Sequence, residues 1–532
     1  MMNSHCAFTT SLAASLVLVL ILPAIAPAQT VSELVQVYEF IELAAPDGEG
    51  QSRAYALNNT SQAIGWVESG ENHHAAHWHN QVTTDLHGTV HFELLHPLYD
   101  QDYGEAFDIS DADQVVGTAR TLVKCIDTQF VITESFVLRP AVLTDLATPY
   151  PGDALTNLRT FGSPCLTAYD SAATGISNRN HVVGWADRED GVTHAFLVVP
   201  RNGAFYVDQA PADGVNDLMV DLGTLAASDP VSSATAVNDQ GQITGYSYTI
   251  TTDGVAAYRA FLVTPNDTDA DGVGDQWFID GGNGTNTLMA HVGTLGGINS
   301  WGRDINNYGE IVGESDVYTT SGNFTHAFVY GGGVMTDIGT LRSDPLTGFS
   351  AASAINDDGV IVGWAENDNR ERRAFIYKDN KMTDLNSLLY LIDEDGNAVS
   401  LSITLTEARD INNDGVIVGW GTVRGSHGNK TRGFLLNPVL IDASYFVDDP
   451  NNPGGPVPII QPQPAANDID LQPIFGTPGH LLGDTADDPN RTGDTTSTTG
   501  LPSLPCGFGL LPFLPLTLAG LFWLKLSRRP VL

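Results

Sequence analysis

Seven times along the chain one short pattern returns: an apolar residue, Asn or Ser, a Gly three positions on, then an apolar run ending in Gly. The fullest copies are Ala354-Ile355-Asn356-Asp357-Asp358-Gly359-Val360-Ile361-Val362-Gly363-Trp364 and Asp410-Ile411-Asn412-Asn413-Asp414-Gly415-Val416-Ile417-Val418-Gly419-Trp420. Others are built on Asn238 and Asn306, and three looser ones on Asn58, Ser110 and Ser177. Such self-similarity restricts a chain to repeat architectures, in which each unit leaves a face that only its neighbour covers.

The physics of one unit is readable. Asn-x-x-Gly between apolar runs makes a tight hairpin: the Asn side chain bonds the turn backbone and Gly supplies the positive φ. Where Gly is missing, Ser61, Asp113 and Asn180 stand in its place; Asp and Asn tolerate that conformation best after Gly. A second element follows, His194-Ala195-Phe196-Leu197, with counterparts at Arg259, His326, Arg373 and Arg432. A third is Asp221-Leu222-Gly223, with counterparts at Val292, Asp337 and Asp384. Four short antiparallel strands per copy form one twisted sheet that cannot bury both faces alone.

The hairpin residues lie 50 to 68 positions apart, against about 40 to 50 per propeller blade, and the excess falls in loops. The pattern predicts an all-β, seven-bladed β-propeller over residues 34–440; the rival is an open β-solenoid. It also predicts a closure. Tyr38-Glu39-Phe40-Ile41-Glu42-Leu43 sits where an Asp-Leu-Gly strand would precede the first copy, and the seventh copy ends at Asn437-Pro438 without its own fourth strand. The N-terminal strand would complete the last blade.

Three motifs recurring in fixed order resemble the HAF family of extracellular repeat proteins, named for the His-Ala-Phe element. The resemblance spans roughly residues 40–440 and implies an exported repeat protein, with no reaction attached.

The ends of the chain read as addresses. An apolar run from Leu12 to Leu22, then Pro23 and Ala26-Pro27-Ala28 before Gln29, predict a signal peptide over 1–28. Residues 441–500, rich in Pro, Asp, Asn, Thr and Gly, predict a disordered stalk. In 501–532, Cys506-Gly507-Phe508-Gly509 precedes an apolar stretch from Leu510 to Leu524 and the basic Lys525, Arg528 and Arg529. This arrangement resembles bacterial C-terminal sorting signals of the PEP-CTERM and MYXO-CTERM kind. It implies a secreted or surface chain that touches membrane through this segment alone, with its basic end cytoplasmic. Cys125 and Cys165 remain for the folded part, as a disulfide or as two buried thiols.

Lys and Arg number 24 against 63 Asp and Glu, a net charge of −39. That surface repels nucleic acid and anionic lipid and attracts divalent cations. The best cation candidate is the loop bearing Asp267, Asp269, Asp271 and Asp275, whose carboxylates fall at positions 1, 3, 5 and 9 around Gly272, as in calcium loops. Phe278 stands where a bidentate Glu is expected. His73, His74, His77 and His79 invite a zinc or copper reading. Aligned on the sixth copy, however, His74 takes the ordinary position of Arg373, and a repeat strand explains the cluster better. Trp66, Trp185, Trp364 and Trp420 follow the strand Gly and either pack between blades or ring a ligand face.

There is no Gly-x-Ser-x-Gly elbow and no His-Glu-x-x-His, and the many carboxylates single out no catalytic pair. The Asp of Asp-Leu-Gly reads as a hydrogen-bonding group within each blade. The chain thus reads as a monomeric binding or structural module, for adhesion or matrix contact, taking a surface polysaccharide or protein ligand. The alternative is a polysaccharide hydrolase or lyase working in the channel.

Overall fold

The computed structural model describes residues 34–448 and 456–458, apart from 46–49, 70–71, 80–81, 86–103, 125–128, 139–154, 162–168, 210–214, 228–230, 271–272, 391–402, 426–427 and 443–445. All of these lie in the first of two compact units, 1–468. Both cysteines of the folded part, the leader and the C-terminal apolar stretch fall outside the described residues. Within them, no helix is long and apolar enough to cross a membrane. Among the described residues helix is confined to one turn of 3₁₀ at Leu385–Leu388.

Each hairpin forms as the repeat dictates. In the last copy, Gly415 donates its N–H to the Asn412 carbonyl, and the Asn412 side-chain oxygen accepts from the N–H groups of Asp414 and Val416. The positive φ falls on Gly241, Gly309, Gly359 and Gly415, and on Ser61, Asp113 and Asn180 where Gly is missing.

Six four-stranded antiparallel sheets follow in chain order, over 52–85, 104–157, 171–221, 232–291, 300–339 and 350–384. Their first strands line the inside: Ser52–Leu57 packs on Gly104–Ile109, that on Ser171–Ile176, and so on around to Ser350–Ile355. A five-stranded sheet closes the circle, its inner strand Ile403–Ile411 touching both Ser350–Ile355 and Ser52–Leu57. The first of the repeated sheets therefore meets the last, which an open solenoid does not allow.

The predicted closure is made by Leu34–Leu43, which pairs antiparallel with Gly428–Asp442 along all ten residues, from Leu34 opposite Asp442 to Leu43 opposite Gly433. Leu389–Tyr390 adds a parallel edge to it, a fifth strand the repeat does not announce. Beyond Asp442, Phe446–Asp448 pairs with Pro456–Pro458, so the segment expected as stalk opens with a small ladder.

The core lies between adjacent sheets. The Phe of each Ala-Phe-Leu element is fully buried at Phe196, Phe261, Phe328, Phe375 and Phe434. Phe375, for example, packs with Val312 and Ala327 of the fifth sheet and Ala352 of its own. Each such ring contributes about 1.5–3 kcal/mol. The strand Gly makes room for it: a Cβ on Gly363 would collide with the Ala351 carbonyl oxygen and stand 2.9 Å from Phe375 Cε1.

Candidate functional site

The repeat builds two different ends on the inner strands. At the hairpin end, the residue after each turn Asn or Ser donates its backbone N–H to a side-chain oxygen of the same position in the next sheet. Asn59 donates to Asp111 at 2.9 Å, Asp111 to Asn178 at 2.8 Å and Asn178 to Asp239 at 2.8 Å. Asp239 donates to Asn307 at 2.9 Å, Asn307 to Asp357 at 2.9 Å and Asp357 to Asn413 at 3.0 Å. Asn413 returns to Asn59 at 3.1 Å. The circle is complete and satisfies backbone donors that the turns leave open.

Inside the ring, Asp108, Asp304 and Asp410 staple neighbouring sheets. Each accepts from its own following residue and from the next sheet: Asp108 from Ile109 and Ile176, Asp304 from Ile305 and Ile355, Asp410 from Ile411 and Leu57, all at 2.7–2.9 Å. Burial, with the field of the other carboxylates added, pushes Asp108 well above the usual range and Asp304 up to about 7. Burial raises Asp410 to about 6. All three are half-buried.

A β-bulge precedes the hairpin in each inner strand, at Tyr55, Phe107, Thr174, Thr235, Arg303, Ser353 and Arg409. Bulges re-aim side chains, and these turn toward neighbouring sheets. Tyr55 stacks on Phe107 at 5.8 Å and meets Trp420 edge-on at 5.8 Å, while Thr174 and Thr235 donate to the carbonyls of Ala234 and Gly302.

From these bulges outward along the inner strands lies a cluster of arginines and aromatics, with Arg303 and Arg409 directly preceding Asp304 and Asp410. Arg53 lies 5.5 Å from the Trp66 ring and 4.9 Å from the Trp420 ring. Arg409 faces Tyr55 at 5.8 Å and Trp420 at 5.7 Å, and Arg372 covers Trp364 at 3.9 Å. Glu407, almost fully buried, pairs with both Arg372 and Arg409, and Glu314 pairs with Arg303. Burial and the nearby guanidinium groups of Arg409 and Arg53 outweigh Glu407 and hold Arg372 below its ordinary value. The Nε atoms of Arg53, Arg372 and Arg409 are buried with no hydrogen-bond partner.

The predicted residues fall as follows. Asp267 and Asp275 turn to their own loop: Asp267 accepts from the Ala270 N–H, and Asp275 from the N–H and hydroxyl of Thr268. Asp269 is exposed, and Asp271 lies outside the described residues. Among the described residues no group of three or more His, Cys, Asp or Glu is placed to hold a metal ion. His77 bonds Gln62 at 2.7 Å and His73 stacks on Trp66 at 4.0 Å. The side chain of His79 lies outside the description. The repeated Asp does bond within its sheet: Asp221 to His194 at 2.7 Å, Asp337 to His326 at 2.9 Å. In the closing sheet Glu42 takes that role toward Arg432 at 2.9 Å. Of the four tryptophans, Trp66 is buried and donates to Tyr55, while Trp364 and Trp420 carry arginines on their faces.

A cavity of about 400 Å³ lies elsewhere, lined by Arg188, Asp221, Phe278 and Asp280 among others; Arg188 and Asp221 already pair there. The arginine cluster escaped the sequence reading because its members sit on different copies at positions the motif leaves free. One signal was available: Arg53, Arg303 and Arg409 all fall on the short stretch before a hairpin.

A family model described as a protein of unknown function (DUF3466) matches residues 342–453. No curated protein matches the chain. Among solved structures the chain is similar to a Trypanosoma rangeli sialidase in complex with the inhibitor DANA, at 10% identity and TM-score 0.31, over 62% of this chain and 54% of that one. It is similar to an Aleuria aurantia lectin in complex with alpha-methyl-L-fucoside, at 12% identity and TM-score 0.26, over 66% and 93%. It is also similar to AofleA from Arthrobotrys oligospora, at 10% identity and TM-score 0.23, over 66% and 89%. The chain spans about half the length of the sialidase it matches, and likeness at this level carries no functional argument.

Proposed function

We propose that the chain is an exported binding module that takes its ligand at the arginine- and aromatic-lined end of the inner strands and does no chemistry on it. The observation that carries this is the cluster of Arg53, Arg372 and Arg409 on Trp66, Trp364, Trp420 and Tyr55. It stands on a scaffold whose turns are tied into a closed circle. A site held on rigid elements keeps its geometry without paying for ordering when the ligand arrives. In this reading the closing sheet counts as a seventh blade, matching the seven-membered hydrogen-bond circle and the HAF-like repeat. The expected leader and C-terminal sorting segment support the same reading, a monomer outside the cell or at its surface. A calcium ion at Asp267, Asp269, Asp271 and Asp275 belongs to the same reading, as a brace for the loop.

The axial carboxyls favour the second reading, a hydrolase or lyase in the channel. Against it, both oxygens of Asp108, Asp304 and Asp410 are committed to backbone N–H groups, which leaves them poorly placed to hand a proton to a substrate. The test is to incubate residues 29–505, with and without calcium, with soluble and insoluble polysaccharides, recording both co-sedimentation and released reducing or unsaturated ends. Binding without products is the expected result; product release overturns the proposal in favour of the channel enzyme.

A further inference from the structure

Four of the 24 basic residues of a chain with net charge −39 meet at one place, Arg53, Arg303, Arg372 and Arg409. Two carboxylates, Glu314 and Glu407, pair with three of them. Arg53 makes no ion pair among the described residues and is answered by the faces of Trp66 and Trp420 alone. Collecting like charges where protein already surrounds them opposes folding, so the arrangement is costly in the free chain.

Stacking also decides what the guanidinium groups have left to offer. A ring against the flat face of an arginine uses no N–H, and holds the planar fork edge-outward. Arg372 lies 3.9 Å over the Trp364 ring in this way, and Arg53 and Arg409 both lie over the ring of Trp420, at 4.9 and 5.7 Å. Their Nε donors are buried and meet no acceptor, so a ligand carboxylate is received by the outer nitrogens of the fork. The side chains of Arg372 and Arg409 keep 31% and 37% of their surface exposed, which leaves the outer nitrogens in reach.

We propose that this cluster is a carboxylate-binding site and that the ligand is an acidic polysaccharide of the uronic-acid type, its carboxylates received by Arg53 with Arg372 and Arg409. The inference rests on the binding reading above and narrows it. The acidic exterior does not forbid it: at physiological ionic strength charges more than about 8 Å away are largely screened, so the contact is decided locally.

The test measures binding of the folded chain, at physiological salt, to polygalacturonate, to the same polymer fully methyl-esterified, to a sulfated polysaccharide and to a neutral glucan. The expected result is retention by polygalacturonate, at least a tenfold loss on esterification, and a similar loss for Arg53→Lys, which keeps the charge and removes the fork. The melting temperature of the variant is recorded alongside. Should that variant fold poorly, the ester comparison decides alone, since it changes only the ligand. Equal binding of acid and ester, or preference for the sulfated polymer, overturns the carboxylate site and leaves the binding module standing. Retention of none of the four overturns both.

Discussion

The backbone N–H of Asn413 donates to the side-chain oxygen of Asn59 at 3.1 Å, across 354 positions of sequence. The buried Asn412 beside it donates its amide to the Asn58 carbonyl at 3.1 Å. Two kinds of bond thus close the circle at one seam, an exposed one through Asn413 and a buried one through Asn412. Both repeat around the ring, since Asn238, Asn306 and Asn356 donate to the carbonyls of Asn306, Asn356 and Asn412.

The two positions differ in what their loss leaves behind. Asn412→Ala removes the acceptor of two turn N–H groups and the donor to Asn58 in a buried setting, which costs about 2–4 kcal/mol. Asn413→Ala removes exposed side-chain bonds that water replaces, with a cost of about 1 kcal/mol or less. Urea unfolding of the two variants side by side is expected to rank them so. Equal losses would mean that the exposed circle carries as much as the buried one.

The closing strand sets the next expectation. Tyr38 is 1% exposed and packs with Ala374, Leu405 and Phe434. Its hydroxyl is pushed up to about 12 by burial and accepts from Gln36. Tyr38→Ala leaves a cavity at the seam and costs on the order of 3–5 kcal/mol. Thermal unfolding is also expected to lose cooperativity, because the strand joins residues from opposite ends of the circle.

Gly363→Ala tests the packing between inner strand and Phe. Its Cβ meets the Ala351 carbonyl, so either the strand or Phe375 must shift, at roughly 1–3 kcal/mol. Gly332→Ala, at a positive φ but with nothing within 4 Å, costs less, since only the backbone conformation opposes it. Melting temperatures of the pair separate steric from conformational causes.

Much of this fold was legible because one hairpin obeys the same local rules seven times. Asn or Ser in the turn, a positive φ three residues on and a Gly under a Phe are requirements of short range, and they survive even where Ser61 or Asn180 replaces Gly. The closing strand was legible too, since Tyr38 to Leu43 looks like a fourth strand without a sheet. The serine staple was missed. Ser232 donates to the Gly223 carbonyl and accepts from the Ala195 N–H, as Ser300 does with Gly293 and Ala260 and Ser350 with Gly339 and Ala327. It recurs two residues before the Ala or Gly of five inner strands, with Gly104 and Thr406 in the other two, but its meaning lies in the neighbouring sheet. The arginine cluster was missed for a related reason: its residues are adjacent around the axis and far apart in sequence, so no local pattern joins Arg53 to Arg409.

The axial carboxyls predict how stability varies with pH. In the unfolded chain an Asp titrates near 3.9, whereas folding raises Asp304 to about 7 and Asp410 to about 6 and moves Asp108 the same way. Between roughly pH 4 and 7 the folded state therefore holds protons that the unfolded state releases, and stability falls as pH rises through that window. Above it the penalty is present in full; near pH 4 it is gone. Repulsion within a chain of charge −39 acts in the same direction, so the pH profile of the unaltered protein does not isolate the axis. Asp304→Asn does. The amide cannot ionise, and it keeps one oxygen for the two N–H groups of Ile305 and Ile355 that the carboxylate serves now. At pH 5 it is expected to cost about 1 kcal/mol through the lost bond. By pH 8 the missing charge offsets that loss, moving the difference from the unaltered protein by on the order of 2 kcal/mol in the stabilising direction, after allowance for the partial exposure of Asp304. Denaturant unfolding of both proteins at pH 5, 6, 7 and 8 measures that difference. A difference that does not change with pH would show that Asp304 stays ionised throughout and is solvated as an exposed carboxylate is.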